Sequence, residues 1–312
     1  MANYAWMRVL HVTLISNKLG RSMTIGADKV MNPTITVEGH KYLSPLKDTC
    51  TIQIANLTYG EMVQIIDGQY FDAYVRCGYV DSVEMTIFKG GVLYITNDND
   101  DAETNIVTIL CASQIVARLS QSRLNLSLNS GINLYSAIKF LCDTSGIKNA
   151  HIDEALRVTY LSNIISANDS AAGWLERLTT QFDGTYASTA SLGGEDVSVI
   201  DVFKSKPRVI KLNERTISIA GGKPKLSSDG LKLEVMPTFE FVPGDVIQID
   251  NSIINMSNAT AYTNLGVQLD QDGQYMIFEI NYRLENRGSS FMLELLCKAR
   301  QLFKTFIDGV QV

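Results

Sequence analysis

The stretch that most limits what this chain can become is residues 221–250, GGKPKLSSDGLKLEVMPTFEFVPGDVIQID. Leu231, Leu233 and Val235 alternate with Lys232 and Glu234, the period-2 pattern of a strand with one buried face. Met236-Pro237 breaks that ladder, because proline has no N–H to donate. Val242-Pro243-Gly244-Asp245 predicts a tight turn, with Pro243 presetting φ at its first corner and Gly244 taking the positive φ of its second. Val246, Ile247 and Ile249 then resume a strand. The whole reads as one corner of a small β-barrel, and residues 50–111 hold its counterpart.

That earlier region is clearest at Cys50-Thr51-Ile52-Gln53-Ile54, an alternating strand. Thr58 is placed to cap a short helix with Met62, Ile65 and Ile66 on one face, ended by Asp67-Gly68. Phe71, Ala73, Val75 and Cys77 form the apolar row of a second strand, closed by Gly78. Strands at 86–88 and 92–96 flank Lys89-Gly90-Gly91, which predicts a bend or bulge, and 105–111 is a further strand. Ahead of these lie strands at 7–15 and 34–37, punctuated by Gly20, Gly26, Pro33 and Gly39.

From Ala112 the texture changes. Ser130-Gly131 opens a helix with Leu134, Ile138, Leu141 and Cys142 on one stripe and Gly146 in the C′ position. A second helix starts near Asp169-Ser170, carries Ala171, Trp174, Leu175, Leu178 and Phe182 on one face, and ends at Gly184. Strands are expected at 157–161, 185–188 and 197–203. After a polar loop at 251–266, the β pattern returns at 273–280, turns at Asn286-Arg287-Gly288 into a strand at 291–296, and closes with a helix over 298–307. The expected architecture is mainly β (α+β): a first tube-type barrel over residues 1–113, a mixed α/β middle domain over 114–214 and a second barrel over 215–312. The closing strands of both β regions end in Leu-Cys, at Leu110-Cys111 and Leu296-Cys297, as an internal duplication would leave them.

The chain is 312 residues long, with 46% hydrophobic and 19% charged residues, so it can bury separate cores and is neither disordered nor collagen-like. A net charge of −6 argues against a protein whose task is gripping nucleic acid. The apolar run near the N-terminus is short and broken by His11 and Thr13, and no run reaches the roughly 20 residues a membrane span needs. The expectation is a chain made in the cytoplasm without a membrane anchor. Cys50, Cys77, Cys111, Cys142 and Cys297 are odd in number, lack CxxC spacing and mostly fill apolar positions, which predicts buried free thiols.

A search for chemistry finds no catalytic, cofactor-binding or metal-binding set. His11, His40 and His151 are scattered, and no GxSxG elbow occurs. Ala220-Gly221-Gly222-Lys223-Pro224 lacks phosphate-loop spacing. The acidic run Asn97, Asp98, Asn99, Asp100, Asp101, Ala102 and Glu103 is the best ion candidate, but without the glycine and distal glutamate of an EF-hand it reads as a solvated turn. Residues 204–232 hold eight Lys or Arg against Glu214 and Asp229, whereas 233–282 hold seven Asp or Glu and no Lys or Arg. Such a split is either surface decoration or oppositely charged faces suited to head-to-tail contact between copies.

Three pieces, in this order, carry a family resemblance: residues 51–58, TIQIANLT; Cys77-Gly78-Tyr79 followed by Ile87-Phe88-Lys89-Gly90; and Gly222-Lys223-Pro224 through Asp229-Gly230-Leu231 to Val242-Pro243-Gly244-Asp245. Together they resemble the central baseplate hub proteins of contractile phage tails, relatives of the spike-base proteins of type VI secretion. The resemblance implies two tube-type barrels per chain and a homotrimer forming a pseudo-six-fold ring. It further implies a place in the virion tail baseplate between the tail tube and a separate central spike protein, with other baseplate proteins as neighbours and DNA passing through the lumen. It implies no enzyme activity, no cofactor and no sequence-specific nucleic-acid binding. The alternatives are a tail-tube or distal-tail protein and, in other classes, a cell-wall hydrolase or a ligand-binding barrel.

Overall fold

The computed structural model describes residues 7–16, 18–26, 33–42, 48–80, 82–101, 104–113, 123–147, 149–179, 184–188, 196–201, 207–212, 222–227, 230–255, 269 and 271–299. The first β region contains β1 (Arg8–Ser16), β2 (Arg21–Ile25), β3 (Thr34–Tyr42), β4 (Thr49–Ala55), α1 (Tyr59–Asp67), β5 (Asp72–Tyr79), β6 (Met85–Asp101) and β7 (Thr104–Ser113). Alternation does what it predicts. Cys50, Ile52 and Ile54 of β4, Ala73, Val75 and Cys77 of β5, and Val107, Ile109 and Cys111 of β7 all point into one core. Thr58 caps α1 in a capping box: its hydroxyl accepts the Glu61 N–H at 3.3 Å, and its own N–H donates to the Glu61 carboxylate at 3.0 Å. Met62 and Ile65 are buried, but Ile66 is exposed, because the next residue on a helix turns about 100° off the buried stripe. Phe71 is likewise exposed, although its N–H donates to Ile15 O and its carbonyl accepts the Val92 N–H, both at 2.9 Å.

No bend occurs at Gly90-Gly91; bulges flank it instead, at Ile87 against β5 and at Leu93 against β7. Gly90 pairs with Ala73 on one flank and Ser113 on the other, and hydrogen bonding on both sides holds β6 extended there.

The middle segment comprises β8 (Arg123–Leu128), α2 (Leu134–Thr144), β9 (Asn149–Ile152), β10 (Ile165–Ser170), α3 (Ala171–Thr179), β11 (Gly184–Ser188) and β12 (Asp196–Asp201). Asn133 rather than Ser130 caps α2, accepting the Ser136 N–H at 2.8 Å. The helix ends in a Schellman motif, with the Ile147 N–H on Cys142 O at 3.0 Å and the Gly146 N–H on Asp143 O at 3.2 Å. The strand expected at 157–161 is instead a 3-10 turn, Glu154–Val158, with one isolated bridge at Tyr160. Asp153 caps that turn by accepting the Ala155 N–H, and Glu154 pairs with Arg157. Trp174, fully buried, centres a core separate from that of the large sheet. Phe182 lies outside the described residues.

The second β region holds β13 (Val209–Lys211), β14 (Lys225–Ser227), β15 (Gly230–Val235), β16 (Val246–Gln248), β17 (Gln274–Glu285) and β18 (Phe291–Ala299). Lys298 and Ala299 belong to β18 rather than to a helix, their backbones paired with Met276 and Tyr275; the rest of the expected closing helix lies outside the described residues. The turn forms as its residues predict, with Gly244 at φ 98° and the Asp245 N–H on Val242 O at 3.0 Å.

The two β regions are copies of one plan. In the first the pairing order is β3-β4-β7-β6-β5, and in the second it is β14-β15-β18-β17-β16, the same order in the same chain sequence. The hairpins even bulge at the same place. Val92 pairs with Cys111 and Tyr94 with Leu110, skipping Leu93; Ile277 pairs with Cys297 and Glu279 with Leu296, skipping Phe278. A shared bulge opposite a shared Leu-Cys is specific where matched alternation is not. Helix α1 has no helical counterpart between β15 and β16, where the Pro243-Gly244 corner stands instead.

The copies are joined. Residues 279–285 of β17 pair antiparallel with residues 36–42 of β3, which makes one 13-stranded sheet and one core cluster running through both regions. Among the described residues, no strand pair closes either region into its own hydrogen-bonded ring.

Candidate assembly surface

The seam between β3 and β17 is where the two copies meet, and polar groups lie on its inner side. On β3 the inward row is Ile35, Val37, Gly39 and Lys41; on β17 it is Ile280, Tyr282 and Leu284. Tyr282 lies across Gly39 and donates its hydroxyl to the Thr49 carbonyl of β4 at 3.2 Å. Burial, and then the neighbouring Cys50 thiol, push this phenol well above its ordinary value. At the end of the row, burial lowers the Lys41 ammonium, against the pull of Asp48. The Asp48 carboxyl accepts the Tyr42 N–H at 2.7 Å, yet burial raises it from 3.8 to about 7.

Asp48 therefore makes folding pH-dependent. Between its ordinary value and about 7 the folded chain holds a proton that the unfolded chain has released, so stability rises as pH falls through that window. Asp48→Asn is expected to remove about 2 kcal/mol of this dependence, discounted for partial exposure and for Lys41, between pH 7 and 4. Denaturant melts at both pH values check it, and unchanged pH dependence in the variant refutes it. Asp169, held low by the hydrogen bond from Arg177, acts in the opposite direction but only below its ordinary 3.8.

A latch closes the seam at the hairpin end. Asn286 accepts the Ile35 N–H at 2.8 Å, donates to Pro33 O at 3.0 Å, and sends its backbone N–H to Ile35 O at 3.2 Å. Arg8, at the start of β1, donates to the carbonyls of Gly288 (2.7 Å) and Ser289 (3.3 Å) and lies 5.3 Å from the ring centre of Phe291, which meets Tyr79 edge-on. The far side of the first region thus touches the β17–β18 hairpin, so the second copy completes the wall of the first.

On the outer face, the same strands form an open groove of about 280 Å³ lined by Glu38, His40, Glu234, Asn281, Arg283 and Glu294 among others. Several of its polar groups are paired: Arg283 with Glu38 at 3.0 Å, His40 Nδ1 with Asn281 Oδ1 at 2.5 Å, and Glu294 with Lys232 at 2.6 Å. Its lining also includes the hydroxyl residues Tyr282 and Ser290, and the Tyr282 hydroxyl is hydrogen-bonded to the Thr49 carbonyl.

The other candidates fall apart in space. His11 is buried with Nδ1 3.0 Å from Glu84, His40 lies in the seam groove, and His151 is exposed on β9. The acidic run straddles the β6–β7 hairpin, with Ala102 and Glu103 outside the described residues. Among the described residues no three His, Cys, Asp or Glu gather as metal ligands. The five cysteines are free and buried; burial raises Cys50, Cys77 and Cys142 to about 12, which keeps them protonated and inert. The basic and acidic segments meet at one ion pair: Arg208 grips Asp245 through both carboxylate oxygens, and Asp245 also accepts the Val242 N–H at 2.9 Å. Tyr282 escapes a motif search because its partner, the Thr49 carbonyl, lies on a strand more than 200 residues away in sequence, whereas Lys41 and Asp48 are near neighbours that match no motif. The inward row from Ile35 to Lys41 was the available signal.

The fold so built is that of a mainly β protein with two related β units and a mixed α/β insertion between them. It is the fold of phage tail proteins. Over 94% of this chain and 97% of the other, it superposes on the 43 kDa tail protein of prophage MuSo2 from Shewanella oneidensis (TM-score 0.58, 10% identity). A tail protein from Neisseria meningitidis MC58 matches over 94% and 96% (TM-score 0.56, 10% identity). The E. coli c3393 protein matches over 87% and 75% (TM-score 0.56, 12% identity); it is described as a type VI secretion component with structural similarity to the bacteriophage T4 tail proteins gp27 and gp5. No protein-family model and no curated protein sequence matches the chain. At such identities the likeness is one of fold.

Proposed function

We propose that the chain is a structural baseplate hub, acting as a homotrimer whose six β units form a pseudo-six-fold ring. The observation that carries this is the tandem repetition of one five-strand plan within a phage-tail fold. Three chains with two like units each present six near-equivalent faces, the match needed where a six-fold tube meets a three-fold spike. In this reading residues 1–113 and 215–312, the latter joined by β13, build the ring, and 114–214 face neighbouring baseplate proteins. The ring binds the tail tube on one side and a separate spike protein on the other, its lumen forms part of the DNA ejection channel, and assembly takes place in the host cytoplasm. The likeness in fold to tail proteins supports a non-enzymatic role. Among the described residues no helix is long and apolar enough to cross a membrane.

Labelling the chain in the assembled particle and imaging the tail tests this reading. A label confined to the junction of tube and spike is expected. Label along the whole tube would favour a tube protein, and lysis of peptidoglycan in a zymogram by the purified chain would favour a hydrolase.

A further inference from the structure

Each β unit has a donating edge and an accepting edge, and the chain joins only one of each. In the second unit the donating edge is residues 279–285 of β17, and it pairs with β3, the accepting edge of the first. The equivalent donating edge of the first unit is β6 beyond its bulge. There β6 pairs with β7, while its β5 ladder has stopped at Gly91, and among the described residues no other strand takes that side. The equivalent accepting edge is β14. It pairs with β15, and among the described residues its other side carries one bridge, Lys225 to Asn255, with the Asn255 N–H on Pro224 O at 2.7 Å.

The register of a second junction follows from the first. The shared bulge makes Asn97 the counterpart of Tyr282 and Asp98 that of Arg283. Cys50 and Leu231 are counterparts through their pairs with Cys111 and Cys297, which makes Leu226 the counterpart of Gly39 and Lys225 that of Glu38. Carrying the β17–β3 pairing across sets Thr96 opposite Ser227, Asn97 opposite Leu226 and Asp98 opposite Lys225.

Three features agree with this register. Side-chain sizes are exchanged: large Tyr282 covers Gly39 within the chain, whereas smaller Asn97 would face Leu226. Charge is exchanged too, since the Arg283–Glu38 ion pair at 3.0 Å becomes Asp98 against Lys225. Finally, Asn97 Oδ1 is buried without a hydrogen-bond partner in the single chain, and Tyr94, three residues earlier on the opposite face of the strand, is 54% exposed. An edge with an orphaned acceptor and an uncovered aromatic is poorly finished for a lone molecule.

We propose that copies of this chain join by adding residues 94–98 of β6 in one copy to the β14 edge of the next, repeating between chains the junction that β17 and β3 make within one. The incoming strand displaces the Asn255 bridge. The contact is head-to-tail, so it closes into a ring when the turn per chain divides a full circle. It rests on the hub reading for the number of copies.

The test uses the full chain with Thr96→Cys and Ser227→Cys together, mildly oxidised and run on non-reducing gels beside each single variant and the unmodified chain. Their counterparts His40 and Asn281 are in side-chain contact, so covalent dimer and trimer are expected from the double variant alone. In parallel, Asp98→Lys and Lys225→Glu should each weaken association at least about tenfold, and the two together should restore it. If light scattering finds a trimer but neither cross-link nor charge rescue occurs, this junction is wrong while the hub reading stands. If the unmodified chain stays monomeric at every attainable concentration, both fall.

Discussion

Gly39→Val should cost about 3 kcal/mol and abolish assembly, the largest effect expected of any single substitution at the seam. A Cβ on residue 39 would lie 2.2 Å from the Thr49 carbonyl oxygen and 2.3 Å from the Tyr282 hydroxyl. Neither can step aside. The carbonyl belongs to β4, paired on both flanks, and the phenol is fully enclosed and hydrogen-bonded to that same carbonyl. Relief would require β3 to part from β17, and that pairing is what joins the two β units. For a chain of this size the loss corresponds to a fall in melting temperature of roughly 6–12 °C in the transition of the large sheet. The middle segment, with its own core around Trp174, should keep its transition. Calorimetry of the variant decides the matter: two unchanged transitions would show that the seam does not hold the units together.

Gly244→Val is expected to cost about 2–3 kcal/mol, by a different route. Gly244 sits at φ 98°, a conformation that a β-branched residue adopts only under strain. The surrounding bonds fix that φ: the Gly244 N–H donates to Ile277 O at 2.7 Å, and the Ile277 N–H returns to Asp245 O at 2.9 Å. The corner is thereby pinned to β17 next to its bulge, where the strand changes partner from β16 to β3. Strain at residue 244 therefore reaches the seam. Gly244→Asn, which tolerates positive φ better, should cost distinctly less, and Pro243→Ala about 0.4–1 kcal/mol through the unfolded chain. Equal destabilisation by Val and Asn in urea melts would exclude backbone strain as the cause.

Both predictions concern a junction that local reading of the chain could not foresee. The strands themselves were legible wherever one face is buried, as in β4, β5, β15 and β18, because alternation is the direct imprint of a one-sided core. The α1 cap, the Gly146 terminus of α2 and the Pro243-Gly244 turn were legible because their residues satisfy local geometry. The extent of β3 was not. Its sequence beyond Val37 reads Glu-Gly-His-Lys, and it stays extended to Tyr42 only because β4 and β17 flank it on both sides. The same holds for Gly90-Gly91, where cross-strand pairing overrides a composition that favours a bend. The inward placement of Lys41 was not legible either, because it depends on pairing with Ile280, more than 200 residues away in sequence.

Duplication was foreshadowed by the two Leu-Cys endings, but similarity between strands is cheap. What raises it to a structural fact is the coincidence of strand order and bulge position, neither of which can be read from residue types.

Native mass measurement combined with projection images of the purified chain tests the central claim most directly. The account predicts particles of roughly three times the 34.5 kDa chain mass that show six similar lobes around a central opening. Six lobes from six chains would contradict it in favour of a tube protein, and a compact monomer with no opening would contradict it outright.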